Sequence, residues 1–291
     1  MKSPVIIFAY NRAQHLEKTL LALNSMLSCQ DRKVFLYIDG PRSSKDYESV
    51  ENVKAIAQGF LNTLIDEIFI SPVNKGLSRS IIEGVSEILN RYESAIILED
   101  DILVREDFFK FIDDAINTYS YKKDICSITG FSPVQFSKDI LYPIKCHRAM
   151  SWSWATWRDR WFCIDFDKNF YENNRDDIVE KITNDNIGRD IIKMLDGYIN
   201  GSIDSWYVRW TVSNFLLNRY TLYPSIPQIE NIGFDGTGEN CSKGQAKEYS
   251  TSFFKSYDID VENIKIEKDF EKKLISTFNP SLLRRIIRKI I

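Results

Sequence analysis

Histidine is scarce in this chain and cysteine is unpatterned. Only His15 and His147 occur, which excludes a metal site built from several histidines. The five cysteines, Cys29, Cys126, Cys146, Cys163 and Cys241, are odd in number and widely separated. None forms a C-x-x-C pair, so neither a zinc site nor a disulfide framework is signalled. A reducing compartment is expected. No stretch approaches the roughly 18 apolar residues of a membrane span. The first residues, Met1-Lys2-Ser3-Pro4, lack the positive-then-apolar plan of a signal peptide, so a cytoplasmic location is expected. An excess of one charge is also missing. The 38 basic and 41 acidic residues leave a net charge of −3, with no overall pull toward nucleic acid.

What is present is a chain of 291 residues, 44% hydrophobic and 13% aromatic, enough for a sizeable core. Its first 130 residues alternate between two periods. Short apolar runs at Val5–Ala9, Val34–Ile38, Glu67–Ile70, Ala95–Leu98 and Ile125–Thr129 read as strands. Between them lie helical patterns, one with Leu16, Leu20, Leu23 and Leu27 on a single face, and others over Val50–Leu61, Ser78–Tyr92 and Asp107–Tyr119. Such alternation predicts an α/β fold with a mainly parallel sheet flanked by helices. After Phe131 the pattern breaks. A tryptophan-dense segment, helices over 171–200, a helix from Trp206 to Leu217 and a loop from Ser225 to Cys241 follow. This second half reads as an elaboration packed on the sheet.

The run Ala95-Ile96-Ile97-Leu98-Glu99-Asp100-Asp101 ends in three consecutive carboxylates. Ligands of open α/β sheets bind beyond the carboxyl ends of the strands. Three acids crowded there call for a positive group between them. Carboxylate oxygens are hard donors suited to Mg²⁺ or Mn²⁺, and such an ion can carry a diphosphate. The plain alternative is a solvated acidic turn. Other polar groups fall at strand ends on the same edge: Asn11-Arg12, Asp39 and Asn74-Lys75-Gly76. Singly, each reads as a cap or turn former. Together they place a base-recognising acid, two cations and a metal site along one rim, the layout a nucleotide diphosphate needs.

Three further features stand apart. Trp154, Trp157 and Trp161 share a helical face, which argues for core packing, although an indole such as Trp154 also makes a platform for a sugar. Asp204-Ser205-Trp206 opens a helix; its acid is either an N-cap or a general base for an acceptor hydroxyl. The last eleven residues, from Ser281, segregate Leu and Ile from Arg284, Arg285, Arg288 and Lys289 around a helical wheel. That pattern favours a helix lying on an anionic membrane surface over the alternative, a terminal helix docked on the body.

The motifs VIIFAYNR, YIDGP, NKGLSRSIIEG and AIILEDDILVREDFF resemble the nucleotide-sugar half of GT-A-fold glycosyltransferases, especially bacterial family 2-like enzymes. ILEDDILVREDFFKF is also similar to the metal-binding segment of N-acetylglucosaminyltransferase I. SWSWATWRDRW, IDSWYVRW and TLYPSIPQIENIGFDGTGENC look like further signatures of the bacterial group. The resemblance implies a GT-A domain over 1–241, with a nucleotide-sugar half at 1–130 and an acceptor half at 131–241. Residues 242–291 would be a polar linker and the basic amphipathic helix.

The resemblance also implies roles. Asp39 would accept a hydrogen bond from uracil or another base, with Arg12 nearby on the nucleotide; Tyr10 and Lys75 are further substrate-binding candidates. Asp101 would bind Mn²⁺ or Mg²⁺, while Glu99 and Asp100 would contact ribose or sugar, or support the groups that do. Asp204 would be the base of an inverting reaction, while Trp154 and Trp206 are candidate substrate contacts. Because Ser205 stands where the eukaryotic enzyme has a second acid, Asp235 is the alternative base, and otherwise a substrate contact. The implied activity transfers a hexosyl or N-acetylhexosaminyl group from a nucleoside diphosphate sugar, a UDP-sugar first of all. The acceptor would be a saccharide; the basic tail suggests a lipid-linked or lipopolysaccharide acceptor at the inner face of the plasma membrane, in surface polysaccharide synthesis. Two rivals remain: a sugar-nucleotide nucleotidyltransferase, which usually needs a glycine-rich basic loop where Ala9-Tyr10-Asn11-Arg12 stands, and a non-catalytic carbohydrate-binding protein of the same fold.

Overall fold

The strands of the first half alternate their side chains between two apolar layers, and this fixes the architecture. In the computed structural model, which describes residues 2–26, 32–134, 142–235 and 259–278, strand β1 (Val5–Ala9) is buried along its whole length. Val5, Ile7 and Ala9 face one core and Ile6 and Phe8 the other. A strand buried on both faces needs helices on both sides. Helices α1 (Ala13–Asn24), α2 (Tyr47–Phe60) and α4 (Phe108–Tyr119) cover the first face, while α3 (Leu77–Arg91) covers the second.

Strands β2 (Val34–Ile38), β3 (Glu67–Ile70) and β4 (Ser94–Glu99) run parallel with β1 in the order β3-β2-β1-β4. Strands β6 (Ile125–Thr129), β7 (Ile144–Cys146), β8 (Trp154–Trp157) and β9 (Tyr220–Tyr223) extend the same sheet to eight strands, ending β4-β8-β6-β9-β7. β8 and β7 are antiparallel to their neighbours, and β6 and β9 pair in parallel. The expected α/β sheet flanked by helices is therefore present.

The second half corrects three expectations. The tryptophan-dense segment is not one helix. Trp154–Trp157 is a central strand whose backbone groups pair with β4 on one side and β6 on the other. The strand period sends Trp157 to the α1–α4 face and Trp154 to the opposite one. Only Arg158–Trp161 is helical (α5). The stretch after Ser225 is also not all loop. Ile229–Asn231 forms β10, antiparallel to β5 (Ile102–Val104), the strand that follows the acidic triplet. Finally, residues 259–278 are not a linker. Helix Lys268–Phe278 buries Phe270 and Leu274 completely in the main core, and the Tyr119 hydroxyl donates to the Val261 carbonyl. Leu27 and residues 279–291, with the basic tail, lie outside the described residues. No helix among the described residues is long and apolar enough to cross a membrane.

Helices α6 (Lys168–Asn173), α7 (Arg175–Asp185) and α8 (Arg189–Ile199) form a satellite core against α9 (Trp206–Leu216). α9 is buried nearly all round because it is sandwiched. Trp206 and Trp210 face the sheet, while Val208, Val212 and Phe215 face the satellite helices.

Because Leu274 is wholly enclosed, Leu274→Ala is expected to cost about 2–5 kcal/mol in denaturant unfolding. A detached linker would show under about 0.5 kcal/mol, and that result would remove this helix from the core.

Candidate functional site

Parallel strands β1 to β4 all end on one edge, so the residues that follow them share a rim. The rim brings together Tyr10 and Arg12 after β1, Asp39 after β2, Lys75 in the loop after β3, and Glu99, Asp100 and Asp101 at the end of β4.

Arg12 stands at the N-cap position of α1, and its side chain reaches across to β4. One guanidinium nitrogen, Nη2, pairs with Asp100 Oδ1 and lies 2.9 Å from Asp101 Oδ2. In this structure Arg12 is thus the positive group between the acids. Burial pulls its guanidinium pKa down, but Asp100 and Asp101 together raise it above the ordinary value. Burial, followed by the charges of Asp101 and Asp100, pushes Glu99 above the usual carboxylate range. Burial pushes Asp100 up as well, although Arg12 pulls the other way. The backbone is tied in too, for Thr19 Oγ1 donates to the Asp100 carbonyl at 2.8 Å.

A strap from far along the chain closes over Asp101. The Ile232 amide donates to the Asp101 carbonyl at 2.9 Å, continuing the β5–β10 pairing. Gly233 rests against the carboxylate so closely that a Cβ there would collide with Asp101 Oδ2, which is why this position needs glycine. Beyond it, Asp235 Oδ2 lies 3.2 Å from His15 Nε2 on α1. Phe234 meets the Trp152 ring edge-on at 5.3 Å between centroids.

Asp39 is tied into the rim through its carboxylate. It is 8% exposed, and its carboxylate accepts four internal hydrogen bonds. Oδ1 takes the amides of Gly40 and Lys75 at 2.9 and 2.8 Å; Oδ2 takes the Gly76 amide at 2.9 Å and Asn74 Nδ2 at 3.1 Å. All its lone-pair sites are engaged, so it shapes the Asn74–Gly76 loop. Lys75 Nζ pairs with Glu83 at 2.7 Å. The Tyr10 hydroxyl accepts from the Arg42 amide at 3.0 Å.

Asp204 is not the N-cap of α9. Ser205 is, accepting from the Val208 amide. The Asp204 side chain is 63% exposed, with Oδ1 3.2 Å from Arg209 Nη2. Trp154 and Trp206 do not join the rim. They stack on each other at 4.9 Å and 19°, with Trp161 and Trp210 packed on Trp154 at 5.8 and 5.6 Å. Both are 4% exposed or less, so their faces meet protein. Sequence reasoning missed His15, Trp152, Gly233 and Arg209. His15 stands three residues after Arg12 on one helix face, and Gly233 lies inside the IGFDG motif, so those two carried a signal.

The donor chemistry fits a hard divalent cation in one respect. Asp101 supplies carboxylate oxygen, and Arg12 is the only hydrogen-bond or ionic partner of its carboxylate among the described residues. Mg²⁺ is commonly held by one or two carboxylates with substrate phosphates completing its shell. No cluster of three His, Cys, Asp or Glu poised for a metal occurs among the described residues.

No protein-family model matches this chain, and neither does any curated protein. Solved structures overlap it distantly. A mannosyltransferase from Pyrobaculum calidifontis, in complex with GDP-Man and Mn²⁺, is 13% identical with a TM-score of 0.39; the match covers 54% of this chain and 45% of that one. S. aureus TarS 1–349 is 12% identical with a TM-score of 0.46, over 77% of this chain and 58% of its own. The galactosyltransferase LgtC, in complex with donor and acceptor sugar analogs, is 13% identical with a TM-score of 0.37, over 60% and 65%. This chain spans about half the length of the first two.

Removing Arg12 leaves two buried carboxylates facing each other. Arg12→Met is expected to cost on the order of 3 kcal/mol in urea unfolding at about pH 8. Glu99 and Asp100 have folded-state pKa values above their unfolded ones. The folded state therefore holds protons the unfolded state has released, and stability falls as pH rises out of the ordinary carboxylate range. The cost of Arg12→Met should accordingly shrink at about pH 5. Equal costs at the two pH values would refute this account of the triplet.

Proposed function

We propose that this protein is a GT-A-type glycosyltransferase that moves a sugar from a nucleoside diphosphate sugar, a UDP-sugar first of all, to a saccharide or lipid-linked acceptor. The observation that carries the reading is the single rim. The residues of the YNR, IDG, NKG and EDD motifs, scattered over 90 positions, converge on one sheet edge with Arg12 tied to Asp100 and Asp101. The resemblance of those motifs supplies the reaction class.

In this reading the loop that Asp39 holds, together with Tyr10, Arg12 and Lys75, receives the nucleoside diphosphate. Glu99 and Asp100 shape the ribose and sugar pocket around it, with Asp235 at its edge. Mn²⁺ or Mg²⁺ held by Asp101 would neutralise charge on the departing diphosphate. Asp204, mostly exposed and free of the capping task, takes the proton from an acceptor hydroxyl. The new glycosidic bond forms on the face of the anomeric carbon opposite the breaking bond to the diphosphate, giving inversion. The basic segment from Ser281 brings the enzyme to an anionic membrane surface, which suits a lipid-linked acceptor and a place in surface polysaccharide synthesis.

A panel of nucleotide sugars with Mn²⁺ tests the reading. One donor should raise the melting temperature or be hydrolysed, and Asp101→Ala should abolish the response. Silence from every donor would sink the proposal. Asp204→Asn should lower kcat by about 10²-fold or more while the donor-induced thermal shift persists; unchanged turnover would move the base elsewhere, to Asp235 first. Deleting residues 281–291 should abolish sedimentation with vesicles containing anionic lipid, and undiminished sedimentation would discard the membrane assignment.

A further inference from the structure

Arg209 joins the two sides of the site. It lies on the first turn of α9, 8% exposed, between the rings of Tyr198 and Phe166 at 4.8 and 5.8 Å. Its Nε donates to the Ser205 carbonyl at 3.1 Å and its Nη1 to the Phe166 carbonyl at 3.4 Å. These two bonds fix the plane of the guanidinium. The remaining nitrogen, Nη2, faces two groups at once. It donates to Ser78 Oγ and, at 3.2 Å, to Asp204 Oδ1.

Ser78 is the second residue of α3 and is buried. It stands two residues after Gly76, the end of the loop that the Asp39 carboxylate holds. A continuous set of contacts therefore runs from Asp39, through that loop and Ser78, to Arg209 and Asp204. Asp204 is otherwise exposed, and Arg209 is its only hydrogen-bond or ionic partner among the described residues. A carboxylate on a loop before a helix has free rotamers unless something holds it. A planar guanidinium already fixed by two carbonyls is a rigid anchor for it.

We propose that Arg209 is a positioning residue. It orients the Asp204 carboxylate toward the acceptor and references it to the donor loop, so the base is aimed only where that loop is in place. The inference rests on the glycosyl-transfer reading and deepens it by naming what sets the acceptor side. Misplacing a reacting group by about 1 Å can cost about 10²-fold in rate. Arg209 is thus expected to govern kcat rather than donor binding.

The experiment is a double-mutant cycle on sugar transfer by the full chain, with donor KM and donor-induced thermal shift measured alongside. Arg209→Met should lower kcat by about tenfold to 10²-fold and leave donor KM and thermal shift unchanged. Arg209→Lys should restore part of the turnover. The double variant Arg209→Met with Asp204→Asn should be no slower than Asp204→Asn alone, because Arg209 acts only through that base. Ser78→Ala should lower kcat in the same direction by a smaller factor. If Arg209 only stabilised α9, Arg209→Met would lower the melting temperature while Asp204→Asn kept its full, additive loss; that result overturns the inference. Should Arg209→Met fail to fold, the same cycle run on Arg209→Lys decides between additive and non-additive losses. A wild-type protein inactive toward every donor would strike the transferase reading itself. An active wild type with additive losses strikes only the role of Arg209.

Discussion

The guanidinium of Arg12 is what allows the end of β4 to exist in its present form. Three consecutive carboxylates, two of them nearly buried, repel one another and lose hydration. Arg12 pairs with Asp100 and Asp101 at once and so ties the start of α1 to the end of β4. The same contact creates the surface on which the strap from Ile229 to Asp235 can rest. Gly233 lies against the Asp101 carboxylate, and its amide is held by Asn231 Oδ1 at 2.8 Å. Two distant pieces of chain and the strand end are thus organised around one cation.

From that centre the rim divides by strand parity. Asp100 points to the α1 side, where Arg12 and Thr19 meet it. Glu99, one residue earlier, shares its face with Ile97 and is in register with Phe8, on the side of α3 and the tryptophans. Arg209 and Asp204 approach from that second side through Ser78. The candidate site therefore has two walls, one built by α1 and the strap, the other by α3 and α9. The sheet edge lies between them.

The sequence shows this unevenly. The strands and helices of the first half are legible because each buries a clean period, as in Val5–Ala9 or the Leu16, Leu20, Leu23 face of α1. The tryptophan segment misleads because Trp154, Trp157 and Trp161 fit a helical spacing while a strand's backbone bonds are non-local. Only the presence of β4 and β6 on either side makes Trp154–Trp157 extended. Residues 259–278 mislead for a similar reason. Two apolar anchors, Phe270 and Leu274, count for more in the core than the polar composition around them.

The roles of the acids divide along the same line. The chain's own pattern determines that the sheet is mainly parallel, that Arg12, Asp39, Lys75 and the Glu99–Asp101 triplet share its carboxyl edge, and that a positive group must neutralise the triplet. These follow from local periods and from charge repulsion, which act between neighbours in sequence. Which cation sits between the acids in the folded chain, that Asp39 spends its carboxylate on the Asn74–Gly76 loop, that Gly233 backs Asp101, and that Ser205 rather than Asp204 caps α9 were decided only by tertiary structure. Each depends on a hydrogen bond or a close approach, and all but the α9 cap join groups tens to more than a hundred residues apart. No local pattern encodes which of several equivalent donors will arrive there.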